Sequence, residues 1–439
     1  MDMHTPRRPQ RIHSGALRFL KMCKERARER SLSLSINNRK KLMSMSSFKN
    51  SLAVLTRTIR WESIALTTNQ IEECVFFIDG LPPSSIATIK DLSFTSLNRP
   101  TYYPFGENLP KNRLDLQRFA ALKALTLDFP NPLSKSKEAC SWDQLTDLKI
   151  TCRMRSEKLL AILRHCVSLE NCSVSPETDF DRSDLEKSER YPKRARLLKL
   201  KKLELVSERV PSLLPATLVC PVLQQATFAY KYCSNFDDSD YYSDYDSDSD
   251  SDGNLDNEAT ELKTFICKYG ETLLKLQVPG VFANILSDCL PKLKNLEELV
   301  VVAPYHDGDD SDDWTVEEDL DDSGARSFLS PLATTGNKYL PRLRAIQVLE
   351  QPNRTKDGVE EYLFQIAKSR MSGKKGVVPL ERIILKTPTQ RTQKLEKYRK
   401  KYREWESRGL RVDIDGGHNV FVRFLGGFNP DSSSQDQCQ

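Results

Sequence analysis

Several features are scarce in this 439-residue chain, and each scarcity removes a class of explanation. No apolar run approaches the ~20 residues that span a bilayer, and no charged-then-apolar segment opens the chain. A membrane helix and a secretory signal are therefore not expected. Eleven cysteines occur, none in a C-x-x-C pair. An odd count without a secretory signal points to the reducing cytosol or nucleus. Cys152, Cys166, Cys172, Cys220, Cys267 and Cys289 are expected to be small buried hydrophobes, with metal ligation improbable. The histidines, at positions 4, 13, 165, 306 and 418, are too scattered to form a cluster. No H-E-x-x-H, G-x-S-x-G or dinucleotide-binding glycine pattern appears, and Met371-Ser-Gly-Lys-Lys-Gly376 lacks the leading glycine of a phosphate-binding loop. The expectation is a non-enzymatic protein with no cofactor and no metal.

Charge is present but segregated, so the net +5 describes no part of the molecule. Residues 1–60 carry fifteen Lys/Arg against three acids, whereas residues 236–261 carry eleven acids and no base. With 38% hydrophobic and 29% charged residues, part of the chain is expected to stay unfolded. Residues 1–50, basic and serine-rich, read as a disordered tail. Its clusters Arg26-Ala-Arg28-Glu-Arg30 and Arg39-Lys40-Lys41 offer nuclear import or contact with an acidic surface as a functional alternative. Cytoplasm, nucleus or both are the expected locations.

Within the remainder, Leu290-Pro-Lys-Leu-Lys-Asn-Leu-Glu-Glu-Leu-Val-Val-Val is the clearest pattern. Leu293, Leu296, Leu299 and Val301 follow the L-x-x-L-x-x-L-x-L spacing of a leucine-rich repeat. The last pair, two residues apart, points to one face of a strand. The first member of such a pair recurs at Leu92, Leu125, Leu148, Cys172, Leu203, Ala226, Leu276, Leu299, Ile346 and Ile383, and a last strand holds Leu410, Val412 and Ile414. Several steps are 23 or 24 residues, inside the 20–29-residue repeat period. Helices are expected at 68–78, 156–165, 259–269, 281–290 and 358–370. The fold class is thus α/β, an irregular leucine-rich-repeat solenoid over 51–425 with disordered acidic insertions at 233–258 and 304–325.

This register assigns the residue between each apolar pair to the solvent-facing, concave side. In order these are Ser93, Thr126, Lys149, Ser173, Glu204, Thr227, Gln277, Val300, Gln347, Ile384 and Asp413. All but Val300 and Ile384 are polar. With Glu297 and Glu298 they form a candidate recognition face, rich in hydroxyls and amides and of no single charge sign. Protein or peptide partners suit such a face; a nucleic acid backbone does not. Residues 390–425 read as a cap: a basic helix with a Leu395, Tyr398, Tyr402, Trp405 stripe, then a hairpin around Asp415-Gly416-Gly417. Residues 426–439 read as a loose tail.

The acidic insertions are a second candidate surface. Asp244, Asp246, Asp248, Asp250 and Asp252 lie in the first, and Asp309, Asp310, Asp312 and Asp313 in the second. Both follow strands two repeats apart, so their exits are expected about 10 Å apart at ~4.8 Å per strand. Together they could form a canopy that holds a basic partner or the chain's own basic ends. Asp248, Asp250, Asp252 and Gly253 match the opening of an EF-hand loop, but its twelfth position is Ala259, so folded calcium binding is not expected. Ser243, Ser247 and Ser249 precede acids in the pattern that acidophilic kinases of the casein type favour.

The stretch Leu55-Thr-Arg-Thr-Ile59 through Ile89-x-x-Leu92-x-Phe94 resembles the segment joining the F-box to the repeats in fungal F-box/leucine-rich-repeat proteins. The irregular repeats with long polar insertions are similar to that group as well. The resemblance implies a target-binding solenoid that tethers a protein to a ubiquitin ligase through a Skp-type adaptor. Residues 1–50 do not read as an F-box, so only target binding carries over. The competing expectation is an acidic nuclear repeat protein that binds basic clients such as histones.

Overall fold

In a computed structural model of the chain, the described residues are 22–23, 25–26, 30–37, 60–68, 71–96, 116–128, 142–177, 194–207, 217–230, 253–279, 283–302, 323–334, 338–349, 359–372, 376–386, 400 and 402–415. They build a mixed α/β structure around one thirteen-stranded sheet. Its strands are β1 (Leu32–Asn37), β2 (Trp61–Thr68), β3 (Asp91–Ser96), β4 (Ala124–Leu127), β5 (Asp147–Arg155) and β6 (Asn171–Glu177), then β8 (Lys202–Ser207), β10 (Gln225–Tyr230), β11 (Lys275–Pro279), β12 (Glu298–Val302), β13 (Ala345–Leu349), β14 (Arg382–Lys386) and β15 (Arg411–Asp415). Every pairing is parallel, and spatial order follows chain order. Two short strands, β7 (Ala195–Arg196) and β9 (Leu218–Val219), pair separately. This arrangement is compatible with a leucine-rich-repeat solenoid.

One row of side chains explains the register. Ile64, Leu92, Leu125, Leu148, Cys172, Leu203, Ala226, Leu276, Leu299, Ile346, Ile383 and Val412 are successive direct partners across the sheet. From Ile64 to Ile383, none of them is more than 3% exposed. A shift of one residue in any strand would turn its apolar pair outward, so burial of this row fixes each strand against the next. The repeat at Ala226, the least regular in sequence, keeps the same register.

The turn before each strand is tied in the same way. The Lys90 carbonyl accepts from the N–H groups of Lys123 and Ala124, at 2.7 and 2.9 Å. The Lys123 carbonyl serves Thr146 and Asp147 likewise, and the pattern recurs at Thr146, Glu170, Lys201, Gln224, Leu274, Glu297 and Arg344. Each carbonyl uses both lone pairs, and the turns stack without orphaned amides. Charged residues recur along this row, and three pairs close across it: Glu62–Lys90, Glu170–Lys201 and Arg344–Glu381. All six side chains are at least 38% exposed, so the pairs specify neighbours more than they stabilise them.

Helices return the chain behind the sheet: α1 (Ile71–Asp79), α2 (Ser156–Leu163), α3 (Gly253–Tyr269), α4 (Ala283–Cys289), α5 (Ser323–Thr334) and α6 (Val359–Arg370). On α3, Phe265 stacks edge-on against Phe228 of β10 and against Tyr269. The Tyr269 hydroxyl donates to the Leu218 carbonyl at 2.8 Å and accepts from the Cys220 N–H at 3.1 Å. One phenol thus anchors α3 to the turn that leads into β10. Near the C-terminus, Tyr402 and Trp405 are buried and pack on Phe364 of α6. The described half of the aromatic stripe, Tyr402 and Trp405, is therefore core. Leu395, Tyr398 and the hairpin turn lie outside the described residues.

Three boundaries differ from the sequence reading. Six residues inside the segment read as a disordered tail form β1, because Leu32, Leu34 and Ile36 alternate with polar residues at the period of a strand. Helix α3 begins at Gly253 and α5 at Ser323, so the last residues assigned to each acidic insertion are helical. Thr68, read as the start of a helix, ends β2 instead, and α1 follows at Ile71.

Candidate binding face of the sheet

Strand alternation gives the sheet a second face, turned away from the core. Ser35, Ala65, Ser93, Thr126, Lys149, Ser173, Glu204, Thr227, Gln277, Val300, Gln347, Ile384 and Asp413 run along it as direct neighbours. The structure therefore brings the sequence-assigned row together and extends it by two strands at the N-terminal side. Glu298 lies on the same face. Glu297 sits one residue before β12, in the stacked turn row. All the acidic-insertion residues, Asp244 to Asp252 and Asp309 to Asp313, lie outside the described residues, as do Ser243, Ser247 and Ser249.

A parallel row runs beside it, of which the sequence reading assigns only Glu298. Residues two positions before the assigned ones share their face: Ser63, Asp91, Ala124, Asp147, Asn171, Lys202, Gln225, Lys275, Glu298, Ala345, Arg382 and Arg411. The period-two rule that found the first row would have found this one.

The face has two chemical characters. Toward the N-terminal side its carboxylates are bonded by neutral donors. Ser63 donates to Asp91 at 3.3 Å, Asn171 to Asp147 at 2.6 Å and Thr151 to Asp128 at 2.5 Å. Toward the C-terminal side the acids are paired with cations. Lys275 meets Glu298 at 2.9 Å, and both Arg382 and Arg411 meet Asp413. The Gln347 amide also donates to Glu298, at 2.5 Å. Val300 and Ile384 flank Gln347. They are only 3% and 6% exposed, so neither is solvent-facing as the register alone implies, because large apolar side chains there are covered by their neighbours. Neither belongs to the contiguous core on the other side of the sheet.

Asp91 shows what the acidic side costs. Partial burial raises its carboxyl above the usual range, the Ser63 hydroxyl opposes this, and the nearby Asp147 charge adds to it. A carboxyl raised on folding adds stability that is fully present below its unfolded pKa and lost as pH rises through the folded one. Asp91→Asn is accordingly expected to raise the melting temperature slightly near pH 7. The gain should vanish below about pH 4, where the wild-type carboxyl is protonated in both states. Thermal melts of the two proteins at both pH values check this, and an equal gain at both would mean that charge is not the cause.

Among the described residues, no three His, Cys, Asp or Glu side chains converge where a metal could sit. No described helix is long and apolar enough to cross a membrane. No protein-family description matches this chain. No curated protein matches it either. Among solved structures, a protein from Bacteroides fragilis aligns over 92% of this chain and 81% of its own, at 13% identity and a TM-score of 0.31. A leucine-rich-repeat protein from Leptospira interrogans aligns over 92% and 98%, at 13% identity and a TM-score of 0.27. Likeness at that level leaves the description of the fold to the chain's own strand register.

Proposed function

We propose that this chain is a protein-recognition scaffold whose polar sheet face binds its partner. The observation that carries the reading is the continuous row from Ser93 to Gln347, hydroxyl or amide at six of its nine positions and interrupted by Lys149, Glu204 and Val300, held in register by a buried row on the opposite side. Such a face offers adaptable donors and acceptors on a rigid support, and the buried Val300 and Ile384 back the Gln347 amide on either side. The resemblance to fungal F-box/leucine-rich-repeat proteins supports a leucine-rich-repeat solenoid acting as a target-binding part. A Skp-type adaptor would enter only through an F-box. The charge of the two acidic insertions favours a second reading, in which they capture a basic client such as a histone.

The readings separate in one experiment. Wild-type protein, a Gln277→Ala/Gln347→Ala variant and a variant lacking 234–252 and 306–322 are used to capture partners from the same extract. If the face binds, the double substitution is expected to lower recovery of a common partner at least tenfold, with an unchanged melting temperature, while the deletion retains it. Loss on deletion with retention in the double variant would replace the face by the acidic insertions.

A further inference from the structure

Of the eight described cysteines, most are sealed in the core. Burial pushes the thiols of Cys152 and Cys220 up to about 12 and that of Cys172 well above its ordinary value, so they stay protonated and unreactive. Cys267 and Cys289 differ from these in geometry. Cys267 lies two residues before the end of α3 and is partly exposed; Cys289 is the last residue of α4 and is buried. The Cys267 thiol donates to the Cys289 sulfur across 3.2 Å, and the Cys289 thiol donates to the Lys263 carbonyl at 3.7 Å. One turn before Cys267 on α3, Lys263 pairs with Asp288, the neighbour of Cys289, at 2.5 Å. The ion pair holds the two helix ends, and hence the two sulfurs, beside each other.

We propose that Cys267 and Cys289 form an oxidisable dithiol that takes a low-molecular-weight disulfide as its oxidant and closes into a bond between α3 and α4. The sulfurs must approach by a little over 1 Å to reach the ~2.05 Å of a disulfide. Exposure sets the order of events. The Cys267 thiolate attacks one sulfur of the small disulfide, forms a mixed disulfide and expels one small thiolate. Cys289 then loses its proton, attacks the Cys267 sulfur and expels the second. Two electrons pass from the protein sulfurs to the small disulfide, which leaves as two thiols carrying the two protons. Burial, then the hydrogen bond from Cys267, raises the Cys289 thiol above its ordinary range. Cys289 therefore suits the second, intramolecular attack and not the first. The bond encloses one repeat, including β11 with Gln277, and would fix it covalently.

The full chain is equilibrated with oxidised glutathione under native conditions, blocked, digested with trypsin and mapped without reduction. Trypsin cleaves between the two cysteines, leaving Cys267 in Thr264–Lys268 and Cys289 in Leu276–Lys292. The expected result is those two peptides joined, with two free thiols lost per chain and the core cysteines unmodified. Cys289→Ser should stop at glutathione bound to Cys267, and Cys267→Ser should show no bond at all. Recovery of wild-type Cys267 as a stable glutathione adduct with Cys289 reduced would overturn the proposal. So would linkage of Cys267 to a different cysteine.

Discussion

Arg370→Ala is expected to destabilise the chain by about 4 kcal/mol, the largest effect of any charged residue described. Arg370 is 1% exposed, on the last turn of α6, and burial pushes its guanidinium down to about 10. Among the described residues, none of its bonded partners is a carboxylate. Its Nη2 donates to the carbonyls of Tyr339 and Leu340 at 3.0 and 2.8 Å, and its Nη1 to that of Leu343 at 3.3 Å. Those carbonyls belong to the turn before β13, where Leu340 holds φ at +52°, a left-handed conformation that a branched residue seldom adopts. The fork of Arg370 thus ties a strained turn to the helix behind it. Truncation removes three hydrogen bonds, at about 1 kcal/mol each, although the Leu340 carbonyl keeps the Leu343 N–H, and adds a cavity. Arg370→Met separates the two contributions, because it fills the space and donates nothing. If the carbonyl bonds matter, methionine should still cost about 2–3 kcal/mol in urea unfolding; near-neutral behaviour would assign the residue to packing alone.

The legible part of this molecule is the part governed by periodicity. Each of the ten apolar pairs picked from sequence at a strand, from Leu92 to Ile383, lies in its expected register, because a buried face demands every second residue and tolerates no slip. β1 was hidden by its company: Leu32, Leu34 and Ile36 alternate as a strand should, but among serines and bases that read as a tail. The polar row of Asp91, Asp147 and Arg382 was legible by the same period-two rule, had it been applied in both directions along each strand. Cys267 and Cys289 stand nine and ten residues before Leu276 and Leu299, so their near-equivalence in adjacent repeats was also in the sequence. Their contact was not, since it depends on how two helices of different length end. Arg370 could not have been found at all. Its partners are backbone carbonyls some thirty residues away, and carbonyls carry no sequence signal.

The neighbours Leu299 and Val300 show how sharply the sheet divides its two faces. Leu299 and Val300 are adjacent, both apolar and nearly unexposed, at 0% and 3%. Composition and burial alone would rank them alike. Leu299, however, stands in the core row between Leu276 and Ile346, whereas Val300 lies between Gln277 and Gln347 on the opposite face. Leu299→Ala removes a side chain packed within a row that runs the length of the sheet and is expected to cost about 3–4 kcal/mol, including the cavity it leaves. Val300→Ala should cost about 1 kcal/mol, because its neighbours are flexible amides that can close over the gap. If the polar face binds a partner, the order reverses for binding. Val300 is too buried to touch a partner but supports the Gln277 and Gln347 amides beside it. Val300→Ala should therefore weaken the complex at a temperature where the variant is fully folded, while Leu299→Ala should affect binding only as far as it unfolds the chain. Paired urea titrations and binding isotherms on the two variants test this. Equal stability losses would mean that Val300 is core, and the division of the sheet into a structural face and a recognition face would fail at its centre.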